Sequence, residues 1–320
     1  MQLGYTMLCE QTAPKQLVSD LVRAEEIGFD FSVISDHYFP WLEEQGHSPY
    51  AWSVLGAAAQ ASTQIGLMTF VTCPTMRYHP VVVAQKAATM ALLSDGRFTL
   101  GLGAGENLNE HVIGRGWPSV DVRHAMLAEA AEVIGLLFDG GYVNYAGQHI
   151  TADSAKLYDL PAERVPVAIA ASGKRSAELA ARHGDGLIAV EPDAGVVSAF
   201  DAAGGPGKPR YGQIPVCYGP DAAEARERAA RLWGWASPGW KVMAELPGPA
   251  SFAAFAELVR PEEITAQVPC GPELGPYLDA VRGYADAGFT HVALVQIGAE
   301  RQREFFEFAE AELLPALRGR

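Results

Sequence analysis

Apolar and polar positions along the chain follow two periods in turn. Short runs rich in β-branched and aromatic residues at 2–8, 31–35, 65–71, 98–102, 165–170, 186–190, 212–217 and 291–296 predict eight strands. Between them, apolar residues recur three and four positions apart over 14–27, 51–61, 81–93, 123–138, 175–183, 193–203, 222–233 and 274–287, which predicts helices with one buried face. Pro14 suits a first helical turn, and Gly28, Gly184 and Gly288 follow the first, fifth and eighth helices as residues that tolerate positive φ. Repeated strand-helix units imply a parallel sheet covered by helices. Eight of them favour an α/β fold closed into a (β/α)8 TIM barrel over an open doubly wound sheet.

Two regions break the rhythm. Residues 142–150 place β-rich arms on either side of Gly147 and predict a surface hairpin. Residues 237–272 are rich in proline, contain Trp240, Phe252 and Phe255, and predict an excursion over the barrel mouth. Neither boundary carries a charge run or a Gly/Ser linker, so a single domain over 1–320 is expected, with insertions near 139–160 and 237–272. Composition narrows the partners. Lys and Arg number 24 against 38 Asp and Glu, a formal charge of -14, which disfavours nucleic acid and anionic lipid. The N-terminus has no signal-peptide pattern and no apolar run approaches the ~20 residues of a membrane span, so a cytoplasmic location without membrane contact is expected. Cys9, Cys73, Cys217 and Cys270 are far apart in sequence and form no CxxC pair, so they are expected to be reduced thiols.

In such a barrel, functional groups gather on the loops after the C-terminal ends of strands. Five successive loops carry Cys9-Glu10-Gln11, Asp36-His37 with Trp41, Val71-Thr72-Cys73-Pro74-Thr75, Gly103 through Asn109, and Ala171-Ser172-Gly173-Lys174. The second puts an acid, an imidazole and an indole within six positions, proton-transfer groups beside a stacking surface. Gly101, Gly103 and Gly105 let a ligand approach the backbone ahead of Glu106, without forming a dinucleotide fingerprint. Ser172 is either an ordinary N-cap or part of a phosphate seat with Lys174 or Arg175. Arg77 and Tyr78 are read mainly as pinning a loop, and His47 as a structural hydrogen-bonding group. Trp233, Trp235 and Trp240 could shape a substrate lid, and helix packing or a subunit contact accounts for them equally well. The histidines form no HxH or HxxxH pair, so no metal site is expected, and no GxSxG elbow is present. Redox or proton-transfer chemistry on a small molecule remains.

The stretches Ser35-Asp36-His37 with Trp41, Gly46-His47-Ser48-Pro49, Pro74-Thr75-Met76-Arg77-Tyr78, Gly103-Ala104-Gly105-Glu106 with Leu108-Asn109-Glu110, and Gly184-Asp185-Gly186 resemble the luciferase-like barrel superfamily. Within it they are similar to the deazaflavin-dependent branch related to coenzyme F420-dependent glucose-6-phosphate dehydrogenase. The resemblance implies F420 as cofactor, with His37 as the base at the substrate hydroxyl, Glu106 as proton donor to the ring, Trp41 over the reacting centre and Glu10 as a further pocket carboxylate. It implies cofactor contacts at Asp36, Val71, Cys73, Ala104, Gly105, Asn109, Ser172 and Gly173, a cis peptide at Phe70-Val71, and a homodimer through helices beside the second and third strands. At Cys73 the branch commonly has threonine, which weakens one contact.

Hydride transfer between a carbinol carbon and a deazaflavin leaves protons to be managed at two places, and His37 and Glu106 can supply both groups. Two other readings stay open: an FMN-dependent monooxygenase on the same scaffold, and a non-catalytic F420-binding protein. For substrate, Val190-Glu191-Pro192-Asp193 and Gln267 stand where the branch holds phosphate with cations. A dianion there would be left unpaired, so a neutral or cationic alcohol, carbonyl, enone or imine is expected instead of glucose 6-phosphate.

Overall fold

The apolar runs become strands buried on both faces, as parallel strands are when helices cover one side and a packed interior lies on the other. The computed structural model describes residues 1–319. Its strands are Gln2–Met7 (β1), Phe31–Ile34 (β2), Gly66–Thr69 (β3), Phe98–Leu102 (β4), Val143–Ala146 (β5), Thr151–Ala155 (β6), Val167–Ala170 (β7), Gly186–Ile188 (β8), Arg210–Val216 (β9) and His291–Gln296 (β10). Eight pair in parallel as a closed barrel in the order β1-β10-β9-β8-β7-β4-β3-β2, while β5 and β6 form a separate antiparallel hairpin. All eight predicted barrel strands are present. Alternation divides each strand between two cores. Leu67, Ile169 and Leu187 join the layer beneath the helices, whereas Met68, Ala168 and Ile188 fill the interior with Phe31, Val33 and Phe70.

The eight predicted helices form as well, and Pro14–Ile27, Ala51–Ala61 and Ala222–Trp233 have the predicted bounds. Pro14 occupies the first turn, and Gly28 and Gly288 adopt φ of 97° and 93°. Gly184 does not. It is extended at φ -117°, and its small size serves packing instead, because a Cβ there would lie 2.9 Å from Ala180 O. The predicted helix at 274–287 precedes β10. The cover between β10 and β1 is a further helical stretch that the periodicity does not reveal, Gln302–Phe308, Ala309–Leu313 and Leu314–Leu317. Its middle is a π-turn and Pro315 follows, which shifts the apolar spacing away from three and four.

The hairpin sits where expected, but its second arm begins at Thr151, and 147–150 forms the turn. The backbone N–H groups of Gln148, His149 and Ile150 donate to the Glu129 carboxylate at 2.8–2.9 Å, so these amides are engaged outside the ladder. The 237–272 excursion carries Trp240–Met243, Pro249–Ala256 and Pro261–Thr265. The Phe70–Val71 peptide is cis. No helix of the described residues is long and apolar enough to cross a membrane.

Two glycines give opposite expectations. A Cβ on Gly101 in β4 would fall 1.9 Å from Thr69 O, so Gly101→Ala should destabilise by more than ~3 kcal/mol in thermal unfolding. Gly283 lies inside Leu274–Asp286, and a Cβ added to it would meet no neighbouring atom within 4 Å. Its replacement by Ala should therefore gain about 0.5–1 kcal/mol in the same measurement.

Candidate active site

Three strand ends converge at the mouth. Glu10 follows β1, Ser35-Asp36-His37 follows β2 and Glu106 follows β4, at the start of the short helix Asn107–Glu110. The buried His37 ring lies between two carboxylates, Nδ1 at 2.9 Å from Glu10 Oε1 and Nε2 at 3.2 Å from Glu106 Oε1. The Nδ1 contact is an ion pair whose N–H direction is poorly aligned, since Nδ1 makes no hydrogen bond of good geometry. Burial disfavours charge on the ring, but Glu106 and Glu10 outweigh it and push the His37 pKa up to about 10. Glu10 is held below its ordinary range: burial raises it, and His37 together with the Ser35 hydroxyl, which donates at 2.6 Å, lowers it further. The resting centre is therefore an imidazolium between carboxylates. Glu10 Oε2 and Glu106 Oε2 are buried without hydrogen-bond partners among the described residues.

Asp36 faces a different set of groups. Thr72 Oγ1 and Trp52 Nε1 donate to its Oδ2 at 2.8 and 3.0 Å, and the Tyr78 hydroxyl donates to Oδ1 at 3.2 Å. Arg77 donates to the Asp36 backbone carbonyl and pairs with Glu110 through Nε at 2.9 Å. Burial works against the Arg77 charge, and Glu110 and Asp36 more than restore it. Lys86 completes this layer, its Nζ 3.4 Å from the Tyr78 ring centre and 5.0 and 5.2 Å from those of Tyr50 and Trp52. Sequence spacing gives no sign of Lys86, Glu110 or Trp52 as partners, because they come from separate segments. Arg77 and Tyr78 do pin a loop, and that loop is the one carrying His37.

Trp41 meets His37 edge-on at 4.9 Å and stacks on Trp235 with centroids 4.1 Å apart and 6° between planes. Phe252 of the excursion closes the group at 5.0 Å from Trp41. The backbone N–H groups of Trp41 and Leu42 both donate to Gln45 Oε1, which fixes the indole. The His47 backbone N–H donates to Glu10 O at 3.1 Å.

The remaining candidates line the same mouth. Val71 and Cys73 pack on the glycine turn, since a Cβ on Gly103 would meet Val71 Cγ2 at 2.4 Å and one on Gly105 would meet Cys73 Sγ at 2.6 Å. Asn109 Oδ1 accepts from the Tyr38 and Phe39 N–H groups at 2.7 and 3.1 Å, leaving its buried Nδ2 without a partner among the described residues. Ala104 is half-buried beside it. Ser172 does not cap the following helix. Gly173 occupies that position, and the Ser176 hydroxyl accepts from Ser172 N and donates to Gly173 O, tying the turn together. Lys174 is exposed, and Arg175 pairs with Asp121 at 2.6 Å. Asp193 caps the helix Ala194–Ala202, and Glu191 and Gln267 are exposed.

The chain as a whole has relatives among known proteins. The model for the luciferase-like monooxygenases matches residues 1–296. The chain is 35% identical, over all of its length and 98% of the relative, to an F420-dependent glucose-6-phosphate dehydrogenase of Beutenbergia cavernae. It is 34% identical to an F420-dependent hydroxymycolic acid dehydrogenase of Mycobacterium tuberculosis, over 99% of this chain and 88% of that one. Among solved structures, an F420-dependent secondary alcohol dehydrogenase in complex with an F420-acetone adduct superposes with a TM-score of 0.91 at 30% identity, covering 99% of each chain.

The pair of carboxylates sets a measurable titration. Folding raises His37 to about 10 from its ordinary 6.5, so the stabilisation is complete below the unfolded value and is lost as pH rises through about 10. Glu10→Gln removes one of the two charges, and the His37 midpoint, followed by NMR of the ring, should fall by at least ~1 unit. An unchanged midpoint would mean that Glu106 alone holds the proton.

Proposed function

The chain belongs to the luciferase-like family, and from that membership we propose that it is an F420-dependent oxidoreductase moving a hydride between the deazaflavin and a small neutral alcohol or its carbonyl partner. The observation that carries this reading is the buried imidazolium of His37 between Glu10 and Glu106.

The residues present fit such a cofactor. Polar atoms without partners among the described residues, Glu10 Oε2, Glu106 Oε2 and Asn109 Nδ2, lie beside a turn kept small by Gly103, Ala104 and Gly105. Ala104, Gly105 and Asn109, with Val71 and Cys73 behind the turn and Ser172 and Gly173 after β7, would hold it. When bound, the deazaflavin supplies the carbon that gives or takes the hydride. Glu10 keeps Nδ1 of His37 fixed and favours the charged ring. The proton on Nε2, which faces Glu106, is the one offered to a carbonyl oxygen in reduction; in oxidation the ring must first give that proton up to Glu106 before Nε2 can receive one from a hydroxyl. Glu106 manages the second proton. Asp36, bonded to Trp52, Thr72 and Tyr78, holds the turn on which His37 stands. Trp41, Trp235 and Phe252 exclude water and favour an apolar substrate body.

Phosphate recognition has little support here. Glu191 is exposed after β8, Asp193 is engaged as a helix cap, and Gln267 is neutral. The likeness to a secondary alcohol dehydrogenase favours a secondary alcohol and ketone pair. Exposed Val82, Leu92 and Leu93 on the helix Pro80–Leu93 support a homodimer through that face, and reduced thiols fit a cytoplasmic setting.

The test follows F420 absorbance with short secondary alcohols and with glucose 6-phosphate in parallel. The alcohols should turn over and the phosphate ester should not. His37→Ala should lower kcat by about 10²–10⁴ while F420 still binds. Efficient turnover of glucose 6-phosphate would defeat the substrate assignment, and a His37→Ala enzyme of normal rate would defeat the mechanism.

A further inference from the structure

Cys217 and Cys270 are remote in sequence, yet the fold makes them neighbours. Cys217 follows β9, and Cys270 lies where the excursion returns to the barrel; the two residues face each other across an isolated parallel bridge. Backbone bonds from Cys217 N to Pro269 O at 2.8 Å and from Gly271 N to Cys217 O at 3.1 Å fix the register. Adjacent strands lie about 4.8 Å apart, within the Cα separation of roughly 4.4–6.8 Å that a disulfide spans. Both side chains also enter one apolar cluster, with Ala225, Leu232, Ile264, Val268 and Ile297. We infer that Cys217 and Cys270 are an oxidisable dithiol that closes reversibly to a disulfide, a modification site separate from the His37 centre.

The surroundings favour this chemistry at these two thiols over the other two. The Cys270 thiol, with the buried Arg228 guanidinium, holds Cys217 below its ordinary range against the effect of burial, while Cys217 and burial push Cys270 up. Burial pushes Cys9 and Cys73 well up; their side-chain partners are the hydroxyls of Ser35 and Thr75. Cys217 is fully buried and Cys270 half-buried, so a small oxidant reaches the Cys217 thiolate past Cys270. With hydrogen peroxide as oxidant, the Cys217 thiolate attacks one oxygen, the O–O bond breaks, and the departing hydroxide takes up the proton that Cys217 gave up to become water. Cys270 then attacks the sulfenyl sulfur of Cys217, the S–S bond forms, the S–O bond breaks, and the Cys270 proton leaves with the oxygen as a second water. Two thiols lose two electrons and two protons, and one peroxide is reduced to two waters. The segment so closed carries Trp235 and Phe252, the wall against Trp41.

The experiment treats the reduced full-length chain with graded hydrogen peroxide and reads intact mass and peptide maps. The inference expects a loss of two hydrogens, a peptide joining Cys217 to Cys270, and full reversal by dithiothreitol. One phenylarsine oxide bound per chain should block the loss, and Cys270→Ser should abolish both. Oxygen atoms accumulating on either cysteine while the other stays a thiol would overturn it, as would a crosslink elsewhere or thiols that persist where a free cysteine peptide is oxidised. Because the readout is mass, the result stands apart from whether the chain reduces F420.

Discussion

A charged histidine held out of water by two carboxylates is the constraint around which the mouth of this barrel is organised. Removing such groups from water costs several kcal/mol each, and the arrangement survives only when the opposite charges lie close and are themselves supported. Here the distances are 2.9 and 3.2 Å, and Ser35 steadies Glu10. One imidazolium and two carboxylates leave a net negative charge beside Nε2 of His37. At an effective dielectric near 20, a further unit anion about 4 Å away would meet about 4 kcal/mol of repulsion per facing charge. The centre itself thus selects against anionic groups near His37, which agrees with the acidic and neutral loops beyond β8.

What holds the imidazole so accurately is the division of labour among three consecutive residues. Ser35 serves Glu10, Asp36 is taken up by Trp52, Thr72 and Tyr78, and His37 reaches the carboxylates. Behind them Arg77 and Glu110 pair, and Lys86 lies over the aromatic rings whose polar tips serve Asp36. Each residue of the turn is tied to a different part of the barrel. A shift of one would break bonds in another layer, so the site is positioned by a network and not by any single contact.

The fold is legible in the sequence because most barrel strands are buried on both faces and so read as short continuous apolar runs, while the covering helices have one buried stripe, so those runs and a spacing of three to four carry the topology. The C-terminal helix escapes that pattern where a π-turn and Pro315 displace its stripe. Gly184 departs from expectation because a glycine after a helix serves close packing as readily as positive φ. That His37, Glu10 and Glu106 lie together is legible in the sequence because all three follow strand ends that share one mouth of the barrel. Lys86 and the Arg77–Glu110 pair are not, since no local pattern joins residues on different segments. Sequence alone leaves Trp235 between lid and packing, and in the structure it stacks on Trp41. Spacing along the chain also hides the pairing of Cys217 with Cys270, which β9 and the returning excursion make neighbours.

The excursion meets the rest of the mouth through a different kind of contact from those that hold His37. It is anchored at its edges by polar contacts: Asn107 N–H to Ala244 O, Trp117 and Arg123 to the Glu245 carboxylate, and Cys217 N–H to Pro269 O. Phe252 of the excursion, and Trp235 just before it, present apolar surface to Trp41. Apolar packing accepts changes of size and shape at a cost of about 1–3 kcal/mol, whereas a buried ion network does not tolerate loss of a partner. The two kinds of interaction are kept on separate segments. Replacing side chains along the excursion therefore reshapes the space over His37 without disturbing the charges that hold its proton.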